Sequence, residues 1–372
     1  MNPPRVLPLA DTLEHQRVAC ARLGSTLYAD VLLGVAADVA AGGVCAAVLG
    51  PHGDDPFASA LPLRFLGSVH RLVLEGQAPA LARHYPSAGG TPGPGLVDDF
   101  IATVAERRAE VEARLGDGVQ TNEVGRSAVL APGYALIARR SGLPLRVFEI
   151  GASGGLNLRW DHYWYDTGET TLGDPASGVR FVGAWEAAEG ALPDLRGASG
   201  GASPGVEVVE RAGCDRNPLD VSTEEGRLTL RSYLWPDQVG RRERLEAAFA
   251  VAARVPTPVE ADDLGGWVGK RLADPLHGVA TVVVHSIVWQ YVAQPSRDRL
   301  LAALQLAGER ATPDAPVVWL RFEPAGPVGD LRLTWWPGGD ETVLATAEYH
   351  GVPVYWGAPE GADGPAPEPT GR

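Results

Sequence analysis

Leu145-Arg-Val-Phe-Glu-Ile-Gly-Ala-Ser-Gly-Gly-Leu-Asn-Leu158 is where the chain changes from helical to strand patterning. Val147, Phe148 and Ile150 make a short β-prone apolar run, closed by Gly151, Gly154 and Gly155. That is the pattern of a buried strand ending in a tight turn into a helix. Glycine has no Cβ, so it takes positive φ at little cost and lets a ligand approach the main chain, while the start of a following helix offers unpaired N–H groups.

Upstream of this stretch the pattern is helical. Asp11 with Glu14 is a capping pair that opens a helix running to Leu23, Ser25 caps the next one as far as Gly42-Gly43, and another covers Pro56 to Glu75. Val97, Phe100, Ile101, Val104, Val111 and Leu115 keep helical spacing, with Asp98 and Asp99 early and Arg107, Arg108 and Arg114 late, so they predict one helix aligned with its dipole. The Pro/Gly-rich segment from Tyr85 to Gly95 is a loop. Thr121-Asn-Glu-Val-Gly-Arg126 opens the last helix before the central strand. Asn122, Glu123 and Arg126 fall within about one turn there, either facing a substrate together or serving as a cap and a solvated face.

Downstream, aromatic and β-branched residues in Trp160–Asp166 and Val179–Val182 predict an inserted hairpin near 160–205, with Asp161, His162 and Asp166 as its polar groups and a linker over Gly197–Pro204. Val206–Val209 reads as the second strand, leading to Asp215, and Leu228-Thr-Leu230 as the third, leading to Tyr233, Trp235 and Asp237 and a helix from Arg241 to Ala253. Thr281–Val284 is the clearest buried parallel strand and runs into His285-Ser-Ile-Val-Trp-Gln-Tyr291, before a helix over Ser296–Ala307. Ligands of open α/β sheets bind beyond the carboxyl ends of strands, so this loop, with Trp289 and Tyr291, is expected to face the substrate. Val317–Glu323 is a fifth strand, Leu331–Trp335 and Thr342–Thr346 flank a turn at Pro337–Asp340, and Val354–Trp356 joins them.

Composition narrows the partners. The chain has 372 residues, with 32 basic against 46 acidic side chains, a net charge of −14 and 45% hydrophobic content. An acidic chain without a clustered basic face argues against a nucleic-acid backbone and for a small molecule. Cys20, Cys45 and Cys214 lie far apart, with no C-x-x-C pair and no histidine cluster at ligand spacing, so neither disulfides nor a metal site are expected and a reducing cytoplasm fits. The most apolar window, Val31–Gly50, is broken by Asp38 and by Gly34, Gly42 and Gly43, which makes it core helix rather than a membrane span.

Glu149-x-Gly151-x-x-x-Gly155 resembles the first motif of class I S-adenosylmethionine (SAM) dependent methyltransferases, with Ser153 standing where that family has glycine. The resemblance implies that Glu149, Gly151, Ser153 and Gly155 hold the methionine part of SAM. By the same likeness Asp215 accepts from the ribose hydroxyls and Asp237 reads the adenine amino group, while His285 is the candidate base for a small-molecule acceptor. The gap between the first two motifs is longer than in that family, and the inserted hairpin accounts for the excess. Gly151-x-Ser153-x-Gly155 also matches the nucleophile elbow of α/β-hydrolases, with His285 or His350 as base. A nucleotide-sensing protein without chemistry is a third class.

Thr121–Arg126, Glu149–Leu158 with Arg159-Trp-Asp161 and Tyr163, and Trp235-Pro-Asp-Gln238 together resemble a bacterial family known as domain of unknown function 2332, which brings no activity with it. The expected architecture is α/β: a Rossmann-like, mostly parallel sheet ending in an antiparallel hairpin, class I methyltransferase-like, over 121–357. An N-terminal helical cap covers 1–120 and a disordered tail covers 358–372.

Overall fold

The structure is a computed structural model, described here for residues 6–187, 191–197 and 205–357. Most of the expected Gly197–Pro204 linker and the tail from Ala358 lie outside these residues. The helices are α1 (Leu9–Arg22), α2 (Thr26–Ala40), α3 (Val44–Leu49), α4 (Leu61–Leu74), α5 (Pro79–Ala82), α6 (Leu96–Glu106), α7 (Arg108–Arg114), α8 (Ser127–Ser141), α9 (Glu224–Ser232), α10 (Val239–Arg254), α11 (Leu264–Arg271) and α12 (Gln294–Arg310). The strands are β1 (Leu145–Ile150), β2 (Trp164–Asp166), β3 (Thr171–Gly173), β4 (Arg180–Val182), β5 (Trp185–Ala187), β6 (Val208–Asp215), β7 (Val259–Ala261), β8 (Ala280–Ser286), β9 (Val317–Ala325), β10 (Val328–Trp336), β11 (Asp340–Ala347) and β12 (Val354–Trp356).

Two compact units result, one of Met1–Asn122 with Leu219–Phe249 and one of Glu123–Pro218 with Ala250–Arg372. The expected boundary at 120/121 is thus two residues early, and the helical unit also takes Leu219–Phe249, which the sequence assigned to the α/β domain. Leu228-Thr-Leu230, read as a third strand, lies in helix α9. Thr223 caps that helix through Gly226 N, and Glu224 and Glu225 favour its first turn, signals that outweigh three alternating residues.

The helical unit is built on an apolar core that includes Leu32 and Val35 of α2, Phe65 and Val69 of α4, Phe100 of α6 and Trp235. Ser25 caps α2 as expected, through Tyr28 N. The helix predicted over Val97–Leu115 breaks at Arg107 (φ −116°, ψ 30°) into α6 and α7. No single helix among the described residues is long and apolar enough to cross a membrane; α2 and the segment from Val44 to His52 pass together on composition but are bent by 85°.

The second unit carries a nine-stranded sheet ordered β5-β12-β11-β10-β9-β8-β1-β6-β7. From β7 to β9 neighbouring strands are parallel, whereas β9, β10, β11 and β12 are antiparallel in succession and β5 adds in parallel to β12. This is a mixed α/β, Rossmann-like sheet that is mostly parallel. Chain order reverses between β1 and β8, which is where open sheets form a crevice for ligands. The predicted insertion is a separate three-stranded sheet ordered β3-β2-β4, and its successor β5 reaches the far edge of the main sheet.

Alternation along the strands separates the two faces. Phe148, Ile150, Val283 and Trp319 pack with Trp267, Leu300 and Leu304 of α11 and α12. On the other face, α8 lies so close to β9 that a Cβ added at Gly133 would be 2.9 Å from Leu320 Cδ1. Pro132 sits inside α8 without ending it.

Candidate functional site

Glu149 ends β1 on the α8 face, 3% exposed, and its Oε2 has no hydrogen-bond partner in the protein. Burial pushes this carboxyl up to about 8, against the opposing pull of Arg126 and Arg159 and with some help from Asp215. Arg159 is itself buried and held behind the glycine turn, donating to the carbonyls of Gly155 (2.6 Å) and Val255 (2.8 Å). A desolvated acid at the carboxyl end of a central strand is a candidate binding or acid–base group, because shifts of this kind concentrate at functional sites.

The turn beyond it is shaped by backbone that favours glycine, with φ of +66° at Gly151 and Gly155 and +52° at Ser153. Ser153 N donates to Asp215 Oδ2 (2.9 Å) at the end of β6, and Asn217 N donates to Asp215 Oδ1 (3.0 Å). Asp215 therefore stands next to the turn, with one backbone donor on each oxygen. On the Cβ side the glycines are packed against neighbouring side chains. A Cβ at Gly151 would collide with Val288 Cγ2, and one at Gly155 would be 2.8 Å from Val259 Cγ2. The segment from β7 and the loop after β8 fill that side of the turn.

That loop is organised by a residue the sequence did not single out. Glu323 Oε1, on β9, lies 2.6 Å from His285 Nδ1 and accepts from Val288 N (3.0 Å) and Trp289 N (3.2 Å). His285 is fully buried at the end of β8, with Nε2 unpartnered, and its ring stacks on Trp289 at 5.6 Å between centroids. Between them Ile287 holds φ +51°, a left-handed conformation that a β-branched residue adopts only under constraint. Other buried atoms lack partners, among them the indole nitrogens of Trp160 and Trp267 and the Tyr28 hydroxyl. Glu149 and His285 differ from these in standing near the carboxyl ends of neighbouring parallel strands.

His285 shares its face with Trp319 and therefore lies across the sheet from Glu149. Tyr291 is 43% exposed in the same loop. Arg126 donates to Ser286 O (3.0 Å) and Tyr349 O (3.2 Å), so it ties the start of α8 to the end of β8. Glu123 turns back on Gly125 N (2.9 Å), and its carbonyl accepts from Asn157, whose Oδ1 in turn accepts from Ser127. Asn122 falls on the helical side of the boundary. Asp161 is not free for a ligand, because Arg211 Nη2 holds it at 2.7 Å. Asp166 caps its own turn at Gly168 N.

Asp237, expected to read adenine, belongs to the helical unit, where it accepts from Ser25 Oγ (2.7 Å) and Leu27 N (3.1 Å) at the start of α2. Its carboxylate completes a helix cap, which is why an acidic residue follows Trp235-Pro. An open groove of about 630 Å³ in this unit runs along α2 and the start of α6, and none of the expected site residues lines it. Among the described residues no three His, Cys, Asp or Glu side chains gather as a metal site.

The fold defines a mixed α/β protein with a large, mostly parallel Rossmann-like sheet, and its candidate site lies at the strand ends. Over residues 10–356 the chain matches the model of an uncharacterized protein family conserved in bacteria, domain of unknown function 2332, and it belongs to that family. No curated protein and no solved structure matches it.

Proposed function

We propose that the protein is a SAM-dependent methyltransferase acting on a small molecule. The observation that carries the reading is the pair of carboxylates bridged by the glycine turn. Glu149 has a buried unpartnered oxygen, and Asp215 is fixed beside it by Ser153 N. A buried carboxyl without a partner suits a cationic group, and SAM offers an ammonium and a sulfonium at its methionine end. Asp215 keeps one lone pair on each oxygen for ribose hydroxyls. The parallel strands β7 to β9, followed by antiparallel β10 and β11, support the reading by their similarity to the strand plan of class I methyltransferases. Asp237 has no part in this reading, and Val288 has to yield for a ligand to lie on the turn.

When bound, SAM supplies an electrophilic methyl group on a sulfonium that departs as a neutral thioether. The residues here supply alignment and a proton acceptor. Glu149 would orient the cationic end and Asp215 the ribose, while His285, on the opposite face of the sheet, is the candidate base through Nε2. Serine-hydrolase chemistry is the weaker reading. Ser153 is 3% exposed, and only a short 3₁₀ segment, Leu156–His162, follows it where an elbow serine needs a substantial helix. A fluorophosphonate probe that labelled Ser153 stoichiometrically would reverse the preference.

The test is thermal stability of the whole chain with SAM and with its demethylated product, using NAD(H), NADP(H) and ATP as controls. A ligand at 100 times its Kd adds roughly 2.7 kcal/mol to unfolding. SAM and its product are expected to stabilise the protein and Glu149→Gln to abolish the response. Below pH 8 calorimetry should also detect a proton released on binding, because a cation drives the neutral Glu149 carboxyl to ionise. Stabilisation by none of the ligands overturns the proposal.

A further inference from the structure

We infer that Glu323 is a positioning residue that fixes His285 as a base with its free lone pair on Nε2, and that the same carboxylate fastens the loop covering that base. The inference rests on the proposed function for what the base serves, but not for the arrangement itself.

A carboxylate only accepts hydrogen bonds, so the 2.6 Å contact requires His285 Nδ1 to carry the proton. In the neutral ring the lone pair is then on Nε2, the atom that has no partner in the protein. The register explains how the pair meets. β8 and β9 run parallel with His285 opposite Arg321, so Glu323, two residues further along β9, projects from the same face just beyond the end of β8. There Glu323 also takes the N–H groups of Val288 and Trp289. Val288 blocks the glycine turn and Trp289 stacks on the imidazole, so one carboxylate governs both the tautomer of the base and the segment over it.

In the proposed reaction SAM would supply its methyl group to a hydroxyl or amine acceptor, with the carbon–sulfur electron pair staying on sulfur. His285 would take the acceptor's proton at Nε2, and the imidazolium would face the Glu323 carboxylate.

Long-range proton–nitrogen correlations on the full chain with ¹⁵N-labelled histidine read the tautomer directly, with His285 identified by its loss in His285→Phe. The wild type is expected to show the Nδ1–H form, and Glu323→Gln, which retains an acceptor oxygen, to keep it. Glu323→Ala is expected to lose it and to speed amide exchange at Val288 and Trp289 about tenfold, as losing a charge-assisted hydrogen bond requires. An Nε2–H form in the wild type overturns the inference even if Glu323→Ala does not fold. So does a folded Glu323→Ala with unchanged tautomer and exchange. Neither result depends on SAM, whose failure to bind would count against the proposed function alone.

Discussion

His70 and His285 are both buried, at 1% and 0% exposure, yet they are used in different ways. His70, in the helical unit, is satisfied at both nitrogens, by Ser232 O (3.1 Å) and Ser87 Oγ (2.8 Å), and burial lowers it to about 4. His285 has one nitrogen on Glu323 and the other with nothing. The first joins chain segments and stays neutral. The second carries an unmet valence at a strand end. Burial therefore says little about a histidine until both nitrogens are accounted for. His84 makes the same point, since its Nε2 pairs with Asp99 while Nδ1 is orphaned, but it lies in the helical unit.

The sharpest way to break this contrast is to remove the hydrogen bonds while keeping the ring. His70→Phe strands a buried carbonyl and a hydroxyl and should cost about 2–4 kcal/mol of unfolding free energy in denaturant titrations. His285→Phe leaves Glu323 with its two backbone donors and should cost only about 1 kcal/mol. Equal costs would mean that His285 is structural too. Asp215→Ala should weaken SAM binding by about 1.5–3 kcal/mol in calorimetry, because each carboxylate oxygen can accept a ribose hydroxyl. An unchanged affinity would move the ribose contact elsewhere.

Proton linkage separates the two units further. Glu149 has a folded pKa raised from 4.5 to about 8, so the folded state holds the proton longer. Its contribution to stability is complete below pH 4.5 and declines as pH rises to 8, by at most about 1.4 kcal/mol per pH unit. His70 has a folded pKa lowered from 6.5 to about 4, so its contribution is present above 6.5 and lost as pH falls through 4. The slopes oppose one another between 4.5 and 6.5, leaving a net decline from 6.5 to 8 that Glu149→Gln should flatten. A decline of the same steepness in Glu149→Gln would remove the desolvation argument. The smallest expected effect is at Val288→Ala, which clears the space beside Gly151 and should tighten SAM binding by a few-fold at a stability cost of about 1 kcal/mol. Weaker binding would mean that Val288 contacts the ligand rather than blocking it.

Much of this architecture was legible in local patterns. The Ser25 cap, the strand around Thr281–Val284 and the turn at Pro337–Asp340 depend on residues adjacent in the chain, and all appear. Glu149, Gly151 and Asp215 were legible as strand-end residues for the same reason. Glu323 was not, because only the β8/β9 register brings it to His285 across 38 positions. Asp237 misled because a carboxylate that caps a helix more than 200 residues away looks, in sequence, like one awaiting a ligand. Leu228–Leu230 misled because alternation over three residues also fits a helix whose cap lies five residues earlier.

The helical unit is assembled from two stretches of chain separated by β1 to β6. No single cut can therefore release it. A truncation that starts at Glu123 would leave Leu219–Phe249 behind, with Trp235 deprived of its apolar partners and Asp237 of the helix start it caps. An orphaned amphipathic segment of that kind drives aggregation rather than yielding a smaller soluble protein. Dissecting the molecule calls for excising both stretches and rejoining Pro218 to Ala250, so the helical unit and the return from β6 to β7 are inherited as one piece.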